Sequence, residues 1–353
     1  MKLLLLFLAL PMIGFGQNVN IPDANFKAYL VGHPDINTNG DNQIQVSEAI
    51  AFNGTIGCTD SGISDLTGIE AFTALTAMNC GGNDLTSLDV SGCTALIHLA
   101  CSYNFVLTSL NISGCTALTT LDCFHNSLTS LDVSANTELT TLFCGDNQLP
   151  SLDVSACTAL FTLYCDNNQL TSLDVSANTV LTTLSFGFNQ LTSLDVSANT
   201  ELTWLDCFDN ALTSLDVRNG NNTNFEVFIS VNNPNLTCIN VDDATWSTAN
   251  LQSFGIDSQH YFSNNCSGAG ISDINESYSL MLYPNPTNGD FTITGLELLG
   301  SVSSLTLTDM NGKVVKVLDT KATKFSMASI KPGVYFLNII SRNKQEVLKI
   351  VKE

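Results

Sequence analysis

Seven segments of nearly the same wording recur along the chain: LTSLDVS begins at Leu128, Leu170 and Leu191, LPSLDVS at Leu149, and close variants at Leu85, Leu107 and Leu212. The spacing is 22 residues once and 21 residues five times in succession. A fixed period of this size means one supersecondary unit stacked on copies of itself. A single copy offers about five buried aliphatic side chains, worth roughly 10 kcal/mol, against ~1–2 kcal/mol of backbone ordering for each residue. One coil therefore cannot fold alone. A stack can, because each coil covers the apolar face of the next at ~4.8 Å per coil.

Aligned, the unit reads LxxLxCxxNxLxxLDVSxNTx, as in Leu139, Leu142, Cys144, Asn147, Leu149, Leu152 and Val154. Over Ile63 to Asn240 this resembles the leucine-rich-repeat family, whose pattern is LxxLxLxxN/CxL. The resemblance implies a β-solenoid of short parallel strands with a mostly coil convex side over residues 57–240, closed by a cap over 241–267. Asn83, Asn104, Asn126, Asn147, Asn168, Asn189 and Asn210 hold one turn position and are expected to form a ladder that satisfies buried backbone groups. Cys80, Cys101, Cys123, Cys144, Cys165 and Cys207 hold one inward position, with Phe186 once in their place. Neighbouring coils hold them wider apart than the ~3.8 Å between Cβ atoms that a disulfide prefers, so free buried thiols are expected. Cys93, Cys115 and Cys157 alternate with Asn136, Asn178 and Asn199 at a second inward position. Cys238 and Cys266 lie beyond the last regular coil and are expected to pair and close the cap.

The chain opens with Met1-Lys2 and LLLLFLALPMIGF, followed by Gly16 and Gln17, the layout of a signal peptide over residues 1–16. No later stretch is apolar for the ~20 residues a spanning helix needs. Residues 17–56 predict a helical cap: a short helix with Phe26 and Leu30, a polar loop, and a second helix through Ile50. The loop places Asn37, Asn39 and Asp41 at alternate positions, then the carbonyl of Gln43, then Glu48 at the twelfth. That spacing resembles the EF-hand or dockerin loop and implies a Ca²⁺ ion, held weakly because only Asp41 and Glu48 bring charge.

After a linker over 268–279, alternating β-type segments such as FTITGL, SLTLTD and VYFLNII predict a small antiparallel sandwich. Tyr283-Pro-Asn-Pro-Thr-Asn-Gly289, Asp309-Met-Asn-Gly-Lys313, Pro332-Gly-Val-Tyr-Phe336 and Leu348-Lys-Ile-Val-Lys352 occur in that order. They resemble the type IX (Por) secretion sorting domain, here over 280–353. That resemblance implies recognition by the type IX secretion machinery and release from, or attachment to, the outer surface of a Gram-negative bacterium.

Charge separates the same parts. Residues 1–280 carry 27 Asp and Glu against Lys2, Lys27 and Arg218, whereas the remainder carries nine Lys and Arg against six acids. With no lysine or arginine between 28 and 217, nucleic acid is excluded as a partner of the repeats. The four histidines stand in separate contexts without HExxH, GxSxG, a phosphate loop or CxxC, so no enzyme is expected. Asp89, Asp132, Asp153, Asp174, Asp195 and Asp216 repeat one environment and read as a solvated acidic stripe. The outward positions around the strands vary and carry Tyr103, Phe124, His125, Phe143, Tyr164, Phe188, Trp204 and Phe208. Aromatic side chains exposed in a row mark a binding face for a protein or a glycan. The expected role is adhesion or protein recognition, with glycan binding or a structural envelope role as the alternative.

Overall fold

The computed structural model describes residues 16–251, 255–266, 280–296, 302–310, 312–341 and 345–353. The expected signal segment through Phe15 and the linker 268–279 lie outside the described residues. The chain divides into two compact units, Met1–Ala269 and Gly270–Glu353.

The first unit is a solenoid built on a nine-stranded parallel sheet, to which each coil gives one three-residue strand. In six of the nine strands, from Leu99 to Leu205, the middle residue is the leucine at the second conserved position, and Ile56, Met78 and Phe228 take its place in the other three. Leu121, Leu142, Leu163, Leu184 and Leu205 pair in register across successive strands and are fully buried. Because side chains alternate across a strand, the residues flanking each leucine point outward. The unit period thus puts one row inside and two rows on the surface.

Two polar rows lock the coils together. Asn168 Nδ2 donates to Cys144 O at 3.0 Å in the preceding coil and to Cys165 O at 3.2 Å in its own, while its Oδ1 accepts Leu149 N–H at 2.9 Å. Asn147 and Asn189 repeat the pattern, and Asn233 extends the row beyond the repeats recognised from wording. At the second inward position, Asn178 donates to Val154 O and Cys157 O, and Cys115 donates its S–H to Val90 O at 3.1 Å. Cysteine and asparagine alternate there because either reaches a carbonyl of the coil before. Ten cysteines are free and buried. Burial pushes the Cys93 thiol up to about 12, and those of Cys115 and Cys157 to about 11, so these thiols are held in the unreactive form.

The opposite wall is less plain than a coil. Ser87–Asp89 pairs with Ser109–Asn111, and Ser193–Asp195, Ser214–Asp216, Cys238–Asn240 and Tyr261–Ser263 form a four-stranded parallel sheet. The LDV segments of the coils between them form no strand. The aspartates of this wall make turns: Asp153 Oδ1 and Asp174 Oδ1 each accept the N–H of the serine two residues on, at 2.9 Å.

Both ends are covered. Helix α1 (Ala24–Val31) starts where Asp23 accepts the N–H groups of Asn25 and Phe26, and buries Phe26 and Leu30 one turn apart. Helix α2 (Val46–Ala51) carries a capping box between Gln45 and Glu48. It leaves Ile50 half exposed. At the other end, Cys238 and Cys266 are joined by a disulfide with Cα atoms 5.7 Å apart, beside helix α3 (Ala244–Asn250).

The second unit has two antiparallel sheets. One pairs Met281–Tyr283, Asp290–Thr294 and Lys324–Ser326; the other pairs Val314–Val317, Val302–Thr308, Gly333–Ser341 and Gln345–Lys352. Phe291 and Ile293 of the first pack with Leu305, Leu307, Leu337 and Ile339 of the second in one core, the arrangement of a β-sandwich.

Candidate ligand-binding face

The outward positions of the nine-stranded sheet, with the turn that follows each strand, bring the aromatic residues into three groups. Tyr103, Phe124 and His125 lie with ring centres 5.1–5.9 Å apart. Phe105 joins them, 6.2 Å from Tyr103 and 5.5 Å from His125. Phe105 was not singled out by the repeat pattern, because it falls in the single coil of 22 residues, where Phe105 and Val106 loop outward and lie 62% and 51% exposed. Phe143 lies 5.3 Å from Tyr164 with the rings tilted by 39°, and Phe188 meets Phe208 edge-on at 4.8 Å. Trp204 stands on the same face, half buried and outside these pairs.

The turn preceding each ladder asparagine requires a left-handed backbone. Gly82, Asp146, Asn167, Asp209 and Asn232 occupy it with φ between 50° and 66°, and all are residue types that tolerate it. Tyr103 at φ 59°, His125 at 58° and Phe188 at 53° occupy the same position. A bulky ring there costs about 1 kcal/mol or more. Tyr103 and Phe188 nevertheless stay 48% and 53% exposed.

Between the second and third groups lies a cavity of about 520 Å³, lined among others by Tyr164, Asp166, Ser185, Gly187, Asp206 and Phe208. It exists because one coil has the small Ser185 and Gly187 at the two positions where its neighbours have Tyr164 with Asp166 and Asp206 with Phe208. A Cβ on Gly187 would meet Asp166 Oδ1 and Phe208 O at 3.3 Å, so glycine keeps the floor open. The same coil is the one in which Phe186 replaces the inward cysteine. Asp166 Oδ1 accepts Ser185 Oγ at 2.5 Å and Gly187 N–H at 2.8 Å, and Asp206 Oδ1 accepts Phe208 N–H at 3.0 Å. Burial raises both carboxyls above the ordinary range, and for Asp166 the nearby Asp206 adds to it. Burial and the same two carboxylates also raise the Tyr164 phenol. At the rim, His125 Nδ1 approaches Asp146 Oδ2 to 3.0 Å without linear hydrogen-bond geometry.

The residues expected to hold calcium are gathered in one loop, but their donors are largely turned on each other. Glu48 Oε1 accepts Thr38 N–H, Thr38 Oγ1 and Asn39 N–H at 2.8, 2.9 and 3.2 Å, and Oε2 accepts Gln45 N–H at 3.0 Å. Asp41 Oδ1 accepts Gln43 N–H at 2.7 Å, and Asn39 Oδ1 accepts Asp41 N–H at 2.8 Å. Asn37 Nδ2 donates to Val31 O and Asp41 O, leaving Asn37 Oδ1 buried with no partner.

Residues 281–353 match the family described as the secretion system C-terminal sorting domain, and residues 42–147 match the leucine-rich-repeat domain of the endo-beta-N-acetylglucosaminidase EndoS. This chain is a leucine-rich-repeat solenoid with a Por-type sorting tail. The tail is the mark of secretion or cell-surface export. The chain is similar to the functional domain of InlJ from Listeria monocytogenes, a structure described as including a cysteine ladder, at 22% identity over 96% of this chain and 98% of that one, with a TM-score of 0.34. It is also similar to internalin C2 from Listeria monocytogenes, at 18% identity over 64% of this chain and 96% of that one, with a TM-score of 0.44. A leucine-rich-repeat protein of Leptospira interrogans matches at 19% identity over 50% of this chain and 56% of that one, with a TM-score of 0.33. No curated protein matches the chain. Among the described residues, no helix is long and apolar enough to cross a membrane.

Proposed function

We propose that this protein is a non-catalytic recognition module exported to the outer surface of a Gram-negative cell, where it grips a protein partner with the outward face of its nine-stranded sheet. One observation carries the reading. Tyr103, His125 and Phe188 occupy a left-handed turn that Gly, Asp or Asn fills in other coils. Large, half-exposed rings held at a conformational cost, with no core to fill, are what a contact surface requires. Screening the full chain against extracellular protein domains and a glycan array gives the partner. Replacing Phe143, Tyr164 and Trp204 by alanine is expected to abolish that binding while leaving the cooperative unfolding transition in place. Binding unchanged by all three substitutions contradicts the reading, and hits confined to sugars replace the protein partner with a glycan.

We also propose that the loop from Asn37 to Glu48 takes up calcium weakly. The buried, unpartnered Asn37 Oδ1 supports it. The hydrogen bonds already made by Glu48 work against it, since a cation has to compete with four donors. A dissociation constant near 1 mM follows. At 10 mM calcium this stabilises the chain by about 1.4 kcal/mol, a rise of a few degrees in melting temperature. Asn37→Ala should remove the rise, and a parent chain unmoved by calcium contradicts the proposal.

A further inference from the structure

The cavity around Ser185 and Gly187 differs from the rest of the sheet face in combining aromatic walls with carboxylates. Asp166 and Asp206 each use one oxygen for protein hydrogen bonds, and neither carboxylate has a basic partner among the described residues. No lysine or arginine lies between residues 28 and 217 to supply one. The rings of Phe188 and Phe208 stand at the same opening, 4.8 Å apart and steeply inclined. A flat cation can therefore lie on a ring face while its edge meets a carboxylate. An ammonium, a strongly hydrated point charge, gains less from the rings, and a neutral sugar can donate hydroxyls to the carboxylates but leaves their charge uncompensated.

We infer that this cavity receives an arginine side chain from the protein partner, its guanidinium bound edgewise by Asp166 and Asp206 and stacked on Phe188 or Phe208. The inference rests on the reading of the sheet face as the binding surface and names what that surface selects. Three features of the solenoid point to it together: the small Ser185 beside the larger Tyr164 and Asp206 of the neighbouring coils, the glycine whose Cβ would crowd the floor, and the phenylalanine held in a left-handed turn at the rim. The burial that keeps both carboxyls above their ordinary range is relieved by an ion pair, so binding should favour their charged forms.

The test uses the full chain and three short peptides that differ only at the central residue, arginine, lysine or citrulline, with chitotriose as a neutral sugar probe, followed by saturation-transfer NMR. The arginine peptide is expected to bind about tenfold more tightly than the lysine peptide, and the citrulline peptide and the sugar not at all. Asp166→Asn with Asp206→Asn should weaken arginine binding by about tenfold or more, whereas Asp122→Asn, on the same sheet outside the cavity, should leave it unchanged. Equal binding of arginine and citrulline, an equal loss in D122N, or binding of chitotriose alone overturns the inference. Failure here combined with loss of the screened partner on substitution of Phe143, Tyr164 and Trp204 removes only the arginine pocket and leaves the wider reading standing. Retention of that partner by those variants removes both.

Discussion

The aspartates of the LDV wall and those of the sheet-face cavity belong to one solenoid, yet their carboxyls move in opposite directions. On the wall, hydrogen bonds from the serine two residues on hold Asp132, Asp153 and Asp174 below the ordinary carboxylate range. In the cavity, burial raises Asp166 and Asp206. The wall repeats one self-satisfied turn along its length. The sheet face departs from repetition at the rings, at the 22-residue coil and at the coil that leaves an opening, and there it carries side chains that the fold has not satisfied. Where the repeat is kept, it serves stacking, and the places where it is broken are those at which we propose contact with a partner.

Substitutions sharpen this contrast in order of size. Leu163→Ala removes a fully buried side chain of the shared inner wall and should cost about 3–5 kcal/mol by urea unfolding; a cost below about 1 kcal/mol would mean that the coils do not share a core. Asn168→Ala breaks four hydrogen bonds between and within coils and should cost about 2–4 kcal/mol. The acid variants are smaller in effect and differ in sign. A wall carboxyl with a lowered folded pKa contributes stability above its unfolded value near 4, lost as pH falls through the lowered folded value, so Asp174→Asn should reduce stability slightly near neutrality and flatten the acid limb. A carboxyl with a raised folded pKa works against folding at neutral pH and is relieved as pH falls through that raised value. Asp166→Asn with Asp206→Asn should therefore raise the melting temperature slightly at pH 7 and lose that advantage as pH approaches 4, and a fall at pH 7 would break the comparison.

The sequence makes the wall far easier to read than the face. Leu142, Leu163 and Leu184 are legible because burial imposes a strict period, and Asn147, Asn168 and Asn189 because a buried amide must return at the same place in each coil. The sandwich of the second unit follows from two-residue alternation. The cavity was not legible, because it is made by what Ser185 and Gly187 lack, and a hydrophobic pattern records side chains that are present. The left-handed turns escaped for a related reason: φ has no hydropathy. Their signal was nonetheless in the letters, since Gly82, Asp146, Asn167 and Asp209 all precede a ladder asparagine and all tolerate positive φ. Tyr103, His125 and Phe188 are conspicuous only against that row. Phe105 was hidden by the one-residue excess of its coil, which shifts it out of register with every template position.

Urea unfolding of the chain carrying Tyr103→Asn, His125→Asn and Phe188→Asn together asks directly whether these rings are held in strained turns for contact and not for the fold. Relief of the left-handed strain should offset the lost ring contacts, leaving the triple variant within about 1 kcal/mol of the parent. A loss of about 3 kcal/mol or more, the size of a core truncation, would show that the rings hold the solenoid together and would contradict the account.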